Sequence, residues 1–208
     1  MSTQFATWLS RHWRSQPVHG FLHSDVYQQG WRLEGGCDAF EPVASPNSRS
    51  FSYTAVVSDT WIILIPENPD HVPDWRVYAR ARERFYEIAP KADEIKITVT
   101  DTVEFFPCGG NFERILCPGC SKEIPLAWWH EKLDLDGDHS SAFILTNHST
   151  PCCGAAYTLH DLFYDWPQGF GRFGFWVMNP GIGKLDDRCK KEFEDILGCE
   201  LRVIYLHL

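Results

Sequence analysis

Cys117-Pro118-Gly119-Cys120 and Pro151-Cys152-Cys153-Gly154 bracket the stretch whose reading decides how the rest of the chain is divided. A CxxC with Pro-Gly at its middle makes a tight turn that aims two thiolates at one point. A second cysteine-rich turn can supply the other half of a tetrahedral site. The pattern predicts a structural Zn2+ held by Cys117, Cys120, Cys152 and Cys153. The second pair departs from the usual CxxC, because neighbouring side chains point apart unless the backbone kinks, which Pro151 and Gly154 favour. If only one of the two ligates, Cys108, His130, His148 or His160 is the candidate to complete the set.

Other cysteine and acidic chemistries fit less well. A redox dithiol needs its CxxC at a helix N-terminus directly after a buried strand, and no such arrangement surrounds Cys117. Trp129-His130-Glu131 lacks the paired His of a metalloprotease helix. The His-x-Glu and Pro-Cys-x-x-Cys pair of the base deaminases is missing. Asp134, Asp136 and Asp138 alternate around Gly137, but His139 and Leu145 stand where a calcium loop requires Gly and an acid. They read as a solvated acidic turn.

Setting the cysteine stretch aside exposes an order of elements on either side of it. Trp61–Ile65 is a continuous apolar run, as in a central strand. Pro73 opens a helix with Asp74 in its first turn and a buried stripe of Trp75, Tyr78, Ala81, Phe85 and Ile88, and Pro90 ends it. Ile95, Ile97 and Val99 alternate as a strand, continued by Val103 and Phe105 beyond a break at Asp101-Thr102. On the far side, Phe173–Met178 is a strand, Lys184–Leu197 a helix closed by Gly198, and Leu201–Leu206 the last strand. Strand, helix, strand, twice over, is the split βαβ repeat. The expected class is therefore α+β: a ferredoxin-like core in two halves, 51–107 and 166–208, carrying a zinc-ribbon-like insertion at 108–165. Within the insertion, Pro125–Leu135 reads as a helix and Ala142–Thr146 as a strand returning to the second cluster.

Residues 1–50 form an irregular N-terminal extension. A short amphipathic helix over 3–15 presents Phe5, Trp8, Leu9, His12 and Trp13 on one face, and Pro17 to Ser50 is turn-rich. Phe51, Tyr53, Ala55 and Val57 then alternate as a half-buried strand.

The 208-residue chain is 44% hydrophobic and 23% charged, ordinary for a globular protein, but nine Trp make it rich in aromatic side chains. A formal net charge of −9 argues against a protein that works by coating phosphate backbones and favours a basic partner. The N-terminus has no basic region ahead of an apolar run, and no apolar stretch is long enough to span a bilayer. A cytoplasmic, reducing setting follows, in which eight Cys read as metal ligands rather than disulfides.

From about Glu94 to Leu206 the chain resembles uncharacterised bacterial zinc-ribbon-type proteins. The resemblance is carried by the CPGC and PCCG turns, Tyr164-Asp165-Trp166-Pro167, Asn179-Pro180-Gly181 and Leu197-Gly198-Cys199. It implies a bacterial cytoplasmic protein and no particular activity.

Three functional classes remain. The first is a non-catalytic protein-binding module, such as an immunity protein neutralising a basic secreted toxin, for instance a nuclease; negative charge would speed that encounter. Trp8, Trp13, Arg76, Arg80 and Arg84 are candidate partner contacts. The second is a zinc-ribbon nucleic-acid binder using the Arg76–Arg84 stripe, which the net charge disfavours. The third is a metal-dependent nuclease built on Asp70, Glu94 and Lys96.

Overall fold

A computed structural model describes residues 59–110, 112–137 and 142–207, all within one compact unit, Val57–Leu208. The helix expected at 3–15, the strand at 51–57, and Trp8 and Trp13 lie outside the described residues.

Strands β1 (Thr60–Pro66), β2 (Glu94–Phe106), β7 (Gly169–Met178) and β8 (Leu201–His207) form one sheet in the order β2-β7-β1-β8, with every neighbouring pair antiparallel. Helix α1 (Tyr78–Ile88) connects β1 to β2, and helix α3 (Asp187–Leu197) connects β7 to β8. Between the halves lie β3 (Ile115–Leu116), α2 (Leu126–Asp136), β4 (His148–Ser149), β5 (Ala156–Tyr157) and β6 (Phe163–Tyr164). The fold is α+β. Among the described residues, no helix is long and apolar enough to cross a membrane.

The apolar run of β1 has a direct cause, since the strand is covered on both faces. Ile62 and Leu64 pack with Phe85 of α1, Phe193 and Ile196 of α3, and Phe173, Phe175 and Val177 of β7. Ile63 and Ile65 turn the other way, onto Phe106, Cys108, Ile204 and Leu206, with Trp61, Phe112, Trp166 and Trp176 around them. On the helical face Phe85 lies 5.6 Å from Phe175 and 4.9 Å from Phe193, ring centre to ring centre. Arg84 adds a polar bond between the helices, donating from Nε (2.8 Å) and Nη2 (2.6 Å) to Glu192 Oε2.

The differences from the sequence reading are local and have physical reasons. The first helix opens as a 3-10 turn, Trp75–Val77, with Asp74 Oδ1 accepting from Arg76 N–H at 3.0 Å. Its tighter winding carries residue 75 off the buried stripe, and Trp75 is 71% exposed rather than buried. β2 runs without the expected break: a register shift against β7 between Val99 and Glu104 absorbs the irregularity, and Val99 is left exposed. α3 begins at Asp187, not Lys184, because Asp186 caps it, accepting from Cys189 N–H at 2.6 Å. Gly198 ends the helix at φ 74°, as expected. No strand spans Ala142–Thr146: Phe143 makes isolated bridges to Val103 and Gly137, and the strand entering the second cysteine turn is His148–Ser149.

Gly174 marks the tightest packing on the non-helical face. A Cβ added there would overlap the Phe106 ring and lie 2.6 Å from Trp176 Nε1, whereas one at Gly171 meets nothing nearer than 3.7 Å. Gly174→Ala should therefore destabilise the protein by about 1–3 kcal/mol, the usual cost of overpacking. Gly171→Ala should change the urea midpoint far less. Equal effects would show that the Phe106–Trp176 contact yields freely.

Candidate metal centre

The four cysteines expected to share one metal lie in one cluster: the sulfurs of Cys117, Cys120, Cys152 and Cys153 are all within 4.8 Å of one another. Cys117 is 3.6 Å from Cys153 and Cys120 is 3.4 Å from Cys152, sulfur to sulfur. Ligands of a tetrahedral ion with metal–sulfur bonds of about 2.3 Å sit about 3.8 Å apart. The cluster has the size and donor set to hold a metal ion.

Backbone hydrogen bonds explain how adjacent cysteines can both reach the cluster. In the first turn Cys117 N–H donates to Lys122 O (2.9 Å) and Ser121 N–H to Cys117 O (2.8 Å). In the second, Thr150 N–H donates to Ala155 O (2.9 Å) and Gly154 N–H to Thr150 O (2.9 Å). Both bonds have the same spacing, so the turns superpose in register, with Thr150 at the place of Cys117 and Pro151 at that of Pro118. Cys152 then matches Gly119, and Cys153 matches Cys120. The fifth position has positive φ in both, 56° at Ser121 and 75° at Gly154. The second turn is thus a knuckle with its first cysteine replaced by threonine and its third residue made cysteine. Gly119 is needed where the knuckles meet, since a Cβ there would lie 2.9 Å from the Tyr157 hydroxyl.

Thr150, which the sequence reading passed over, is buried in the cluster, with Oγ1 3.4 Å from Cys153 Sγ and 3.8 Å from Cys117 Sγ. The signal for it was the parallel between C-P-G-C-S and T-P-C-C-G.

The electrostatics are those of crowded thiols. Desolvation pushes the Cys117 thiol up, but N–H groups of Gly119 and Cys120, with Thr150 and Cys153, outweigh it and pull the group down to about 6. Hydrogen bonds from Thr150 and Ala155 N–H lower Cys153 too. At Cys120 the Lys122 N–H favours the thiolate, yet the Cys152 sulfur, burial and the other two sulfurs push the thiol up to about 12. Like charges so close oppose further ionisation, and a cation at the centre removes that opposition.

The alternative ligands are engaged elsewhere. Cys108 is buried on the sheet's non-helical face and donates to Gln168 Oε1 at 3.4 Å; burial pushes its thiol up to about 12. His130 sits on α2 with its ring 5.2 Å from that of Trp129. His148 Nε2 is 2.9 Å from Asp136 Oδ1. His160 is buried between elements: Phe170 N–H donates to its Nδ1 (3.0 Å), so Nε2 carries the proton and donates to Glu67 O (2.9 Å).

The remaining candidates are dispersed. Arg76 pairs with Asp74 at 2.7 Å, Arg84 with Glu192 at 2.6 Å and Glu87 at 2.8 Å, and Arg80 is exposed. The Asp70, Glu94 and Lys96 set does not converge. Arg172 N–H donates to Pro69 O, so Asp70 lies beside residue 172, whereas Glu94 pairs with Met178. Six residues of strand separate those points, roughly 20 Å. Asp136, read as part of a solvated turn, is buried.

Comparison with known protein families, curated proteins and solved structures gives no match.

Two expectations follow. By the equivalence of the knuckles, Cys152→Gly should weaken metal retention and Thr150→Cys added to it should restore retention; failure of the double variant to recover would refute the register. For His160, desolvation and then the nearby Arg202 charge lower its value to about 4. A histidine kept neutral in the folded state contributes stability that is complete above its ordinary value and is lost as pH falls towards the folded one. Wild type should thus lose about 2 kcal/mol more than His160→Gln between pH 7 and pH 5. Parallel pH profiles in urea unfolding would contradict this.

Proposed function

We propose that the four cysteines hold a structural Zn2+. We further propose that the protein is a non-catalytic, cytoplasmic protein-binding module, specifically an immunity protein that neutralises a basic secreted toxin such as a nuclease. The observation that carries the zinc reading is the closed cluster, four sulfurs within 4.8 Å of one another. A four-thiolate set fills every corner of a tetrahedron and leaves no position for a substrate or a reactive water. The strand order β2-β7-β1-β8 with both connecting helices in one core supports reading the frame as ferredoxin-like, with residues 108–165 as a zinc-ribbon-like insertion.

Two features support the binding reading. The net charge of −9 favours encounter with a basic partner. Trp75 is 71% exposed with the Arg76 guanidinium 5.4 Å over its ring, and Trp and Arg are residue types enriched at the energetic centres of protein interfaces. The nucleic-acid reading is weakened because Arg84 and Arg76 already serve carboxylates. The nuclease reading is weakened by the distance between Asp70 and Glu94.

The purified protein should contain one Zn2+ per chain. Chelation or Cys117→Ser should abolish hydrogen-exchange protection across 108–165, since binding energy in such modules is folding energy. Full protection without metal would refute the structural assignment. Tagged protein captured from native bacterial lysate should carry one stoichiometric basic protein partner that survives nuclease treatment and is reduced at least about tenfold by Trp75→Ala. Recovery of nucleic acid instead would transfer the assignment to the zinc-ribbon binder.

A further inference from the structure

Beside the sulfur cluster, but outside it, lies a second group of metal-competent side chains. Asp136 is the last residue of α2, and its side chain is 1% exposed. Its Oδ1 accepts from Thr146 Oγ1 at 2.5 Å and is 2.9 Å from His148 Nε2, and those two atoms are themselves 3.1 Å apart. Its other oxygen, Oδ2, is buried and has no hydrogen-bond partner among the described residues.

This carboxylate is badly placed for a group whose surroundings stop at those contacts. The C-terminal end of a helix carries partial negative charge, which disfavours an anion there. Burial of a carboxylate is costly unless positive charge or donors meet both oxygens. Among the described residues, no Lys or Arg pairs with Asp136, and His148 is its one basic neighbour. A buried oxygen left over in this way calls for a water or an ion.

Two of the three donor separations, 2.9 and 3.1 Å, match the edges of an octahedral face, and the third, the 2.5 Å Thr146–Asp136 hydrogen bond, would lengthen as its proton gives way to a metal. Ligands at about 2.1 Å from a metal lie about 3.0 Å from their neighbours. We propose that Asp136, Thr146 and His148 form a second metal site, taking a first-row divalent cation through nitrogen and oxygen donors. The remaining positions are filled by solvent. The cation supplies the positive charge that the end of α2 lacks. Because α2 and β4 both contribute, the ion ties the helix to the strand that enters the second cysteine turn. This assignment does not depend on the identity of the metal at the sulfur cluster: a carboxylate, hydroxyl and imidazole set suits Mn2+ and similar ions, which thiolates do not select.

The test uses the full chain, zinc-loaded, titrated with Mn2+ while free Mn2+ is followed by electron paramagnetic resonance. The expected result is one Mn2+ bound per chain with zinc content unchanged. Asp136→Asn, which preserves shape, should weaken that binding at least about tenfold, as losses around metal sites do. The circular dichroism spectrum and urea midpoint of the variant report that it is folded. If Asp136→Asn fails to fold, His148→Gln is read in the same way. No saturable Mn2+ binding by the wild type, or equal binding by the folded variants, would overturn the site and leave a hydrogen-bonded cluster only.

Discussion

Four sulfur atoms within 4.8 Å of one another cannot all carry charge without a cation among them, and that constraint organises the middle third of the chain. The regular structure around it is slight. β3, β4, β5 and β6 are each two residues long, far too short to stand on strand pairing alone. What holds residues 115–124 against 148–157 is the meeting of two turns at one point. The backbone is prepared for that meeting: N–H groups aim at sulfur, positive φ at Ser121 and Gly154 closes each turn, and Gly119 lets Tyr157 approach. The cluster is the keystone of an otherwise loop-built segment.

The segment is nevertheless continuous with the sheet through aromatic rings. Phe170 of β7 and Phe105 of β2 lie 4.9 Å apart, and Phe105 continues to Trp129 of α2 at 6.0 Å. Phe112 then packs on Trp129 at 5.3 Å and on Tyr164 of β6 at 5.8 Å. The polar ends are satisfied in series: Trp129 Nε1 donates to the Tyr164 hydroxyl (3.0 Å), which donates to Leu159 O (2.6 Å). At the same junction Arg202 of β8 donates to the carbonyls of His160 and Gln168 and to Glu67 Oε2. A chain with nine Trp and 14% aromatic residues places much of that wealth here, where rings bury large area and keep one polar end bonded. The sulfur cluster and the sheet are for this reason joined in one packed unit.

How much of this could be read in advance depended on whether a residue's role was local. Trp61–Ile65 declared a strand because apolar side chains on consecutive positions need two buried faces, and Gly198 declared a helix end because few other residues take positive φ. Cys117 and Cys120 declared a metal turn because their spacing alone brings two sulfurs together. Trp75 was misplaced because a single 3-10 turn, invisible in composition, rotates the helical phase. The role of Cys152 and Cys153 rested on backbone bonds among Thr150, Gly154 and Ala155, which show that the turn matches the first one with one cysteine moved, a match that the CxxC spacing does not display. Asp136 looked like surface charge because its neighbours in sequence are acidic, whereas its neighbours in space, Thr146 and His148, stand 10 and 12 residues further along the chain. The separation of Asp70 from Glu94 likewise follows from strand register, which the local pattern does not carry.

The ligands at the sulfur cluster decide what holds this segment together, and the measurement that addresses them most directly is X-ray absorption at the zinc edge on the purified 208-residue chain. The expected result is four sulfur scatterers at about 2.3 Å and no nitrogen or oxygen bound to the metal. A shell of three sulfurs with a lighter atom would remove one cysteine and reopen the site to an exchangeable ligand. Absence of bound zinc would refute the four-thiolate zinc site outright.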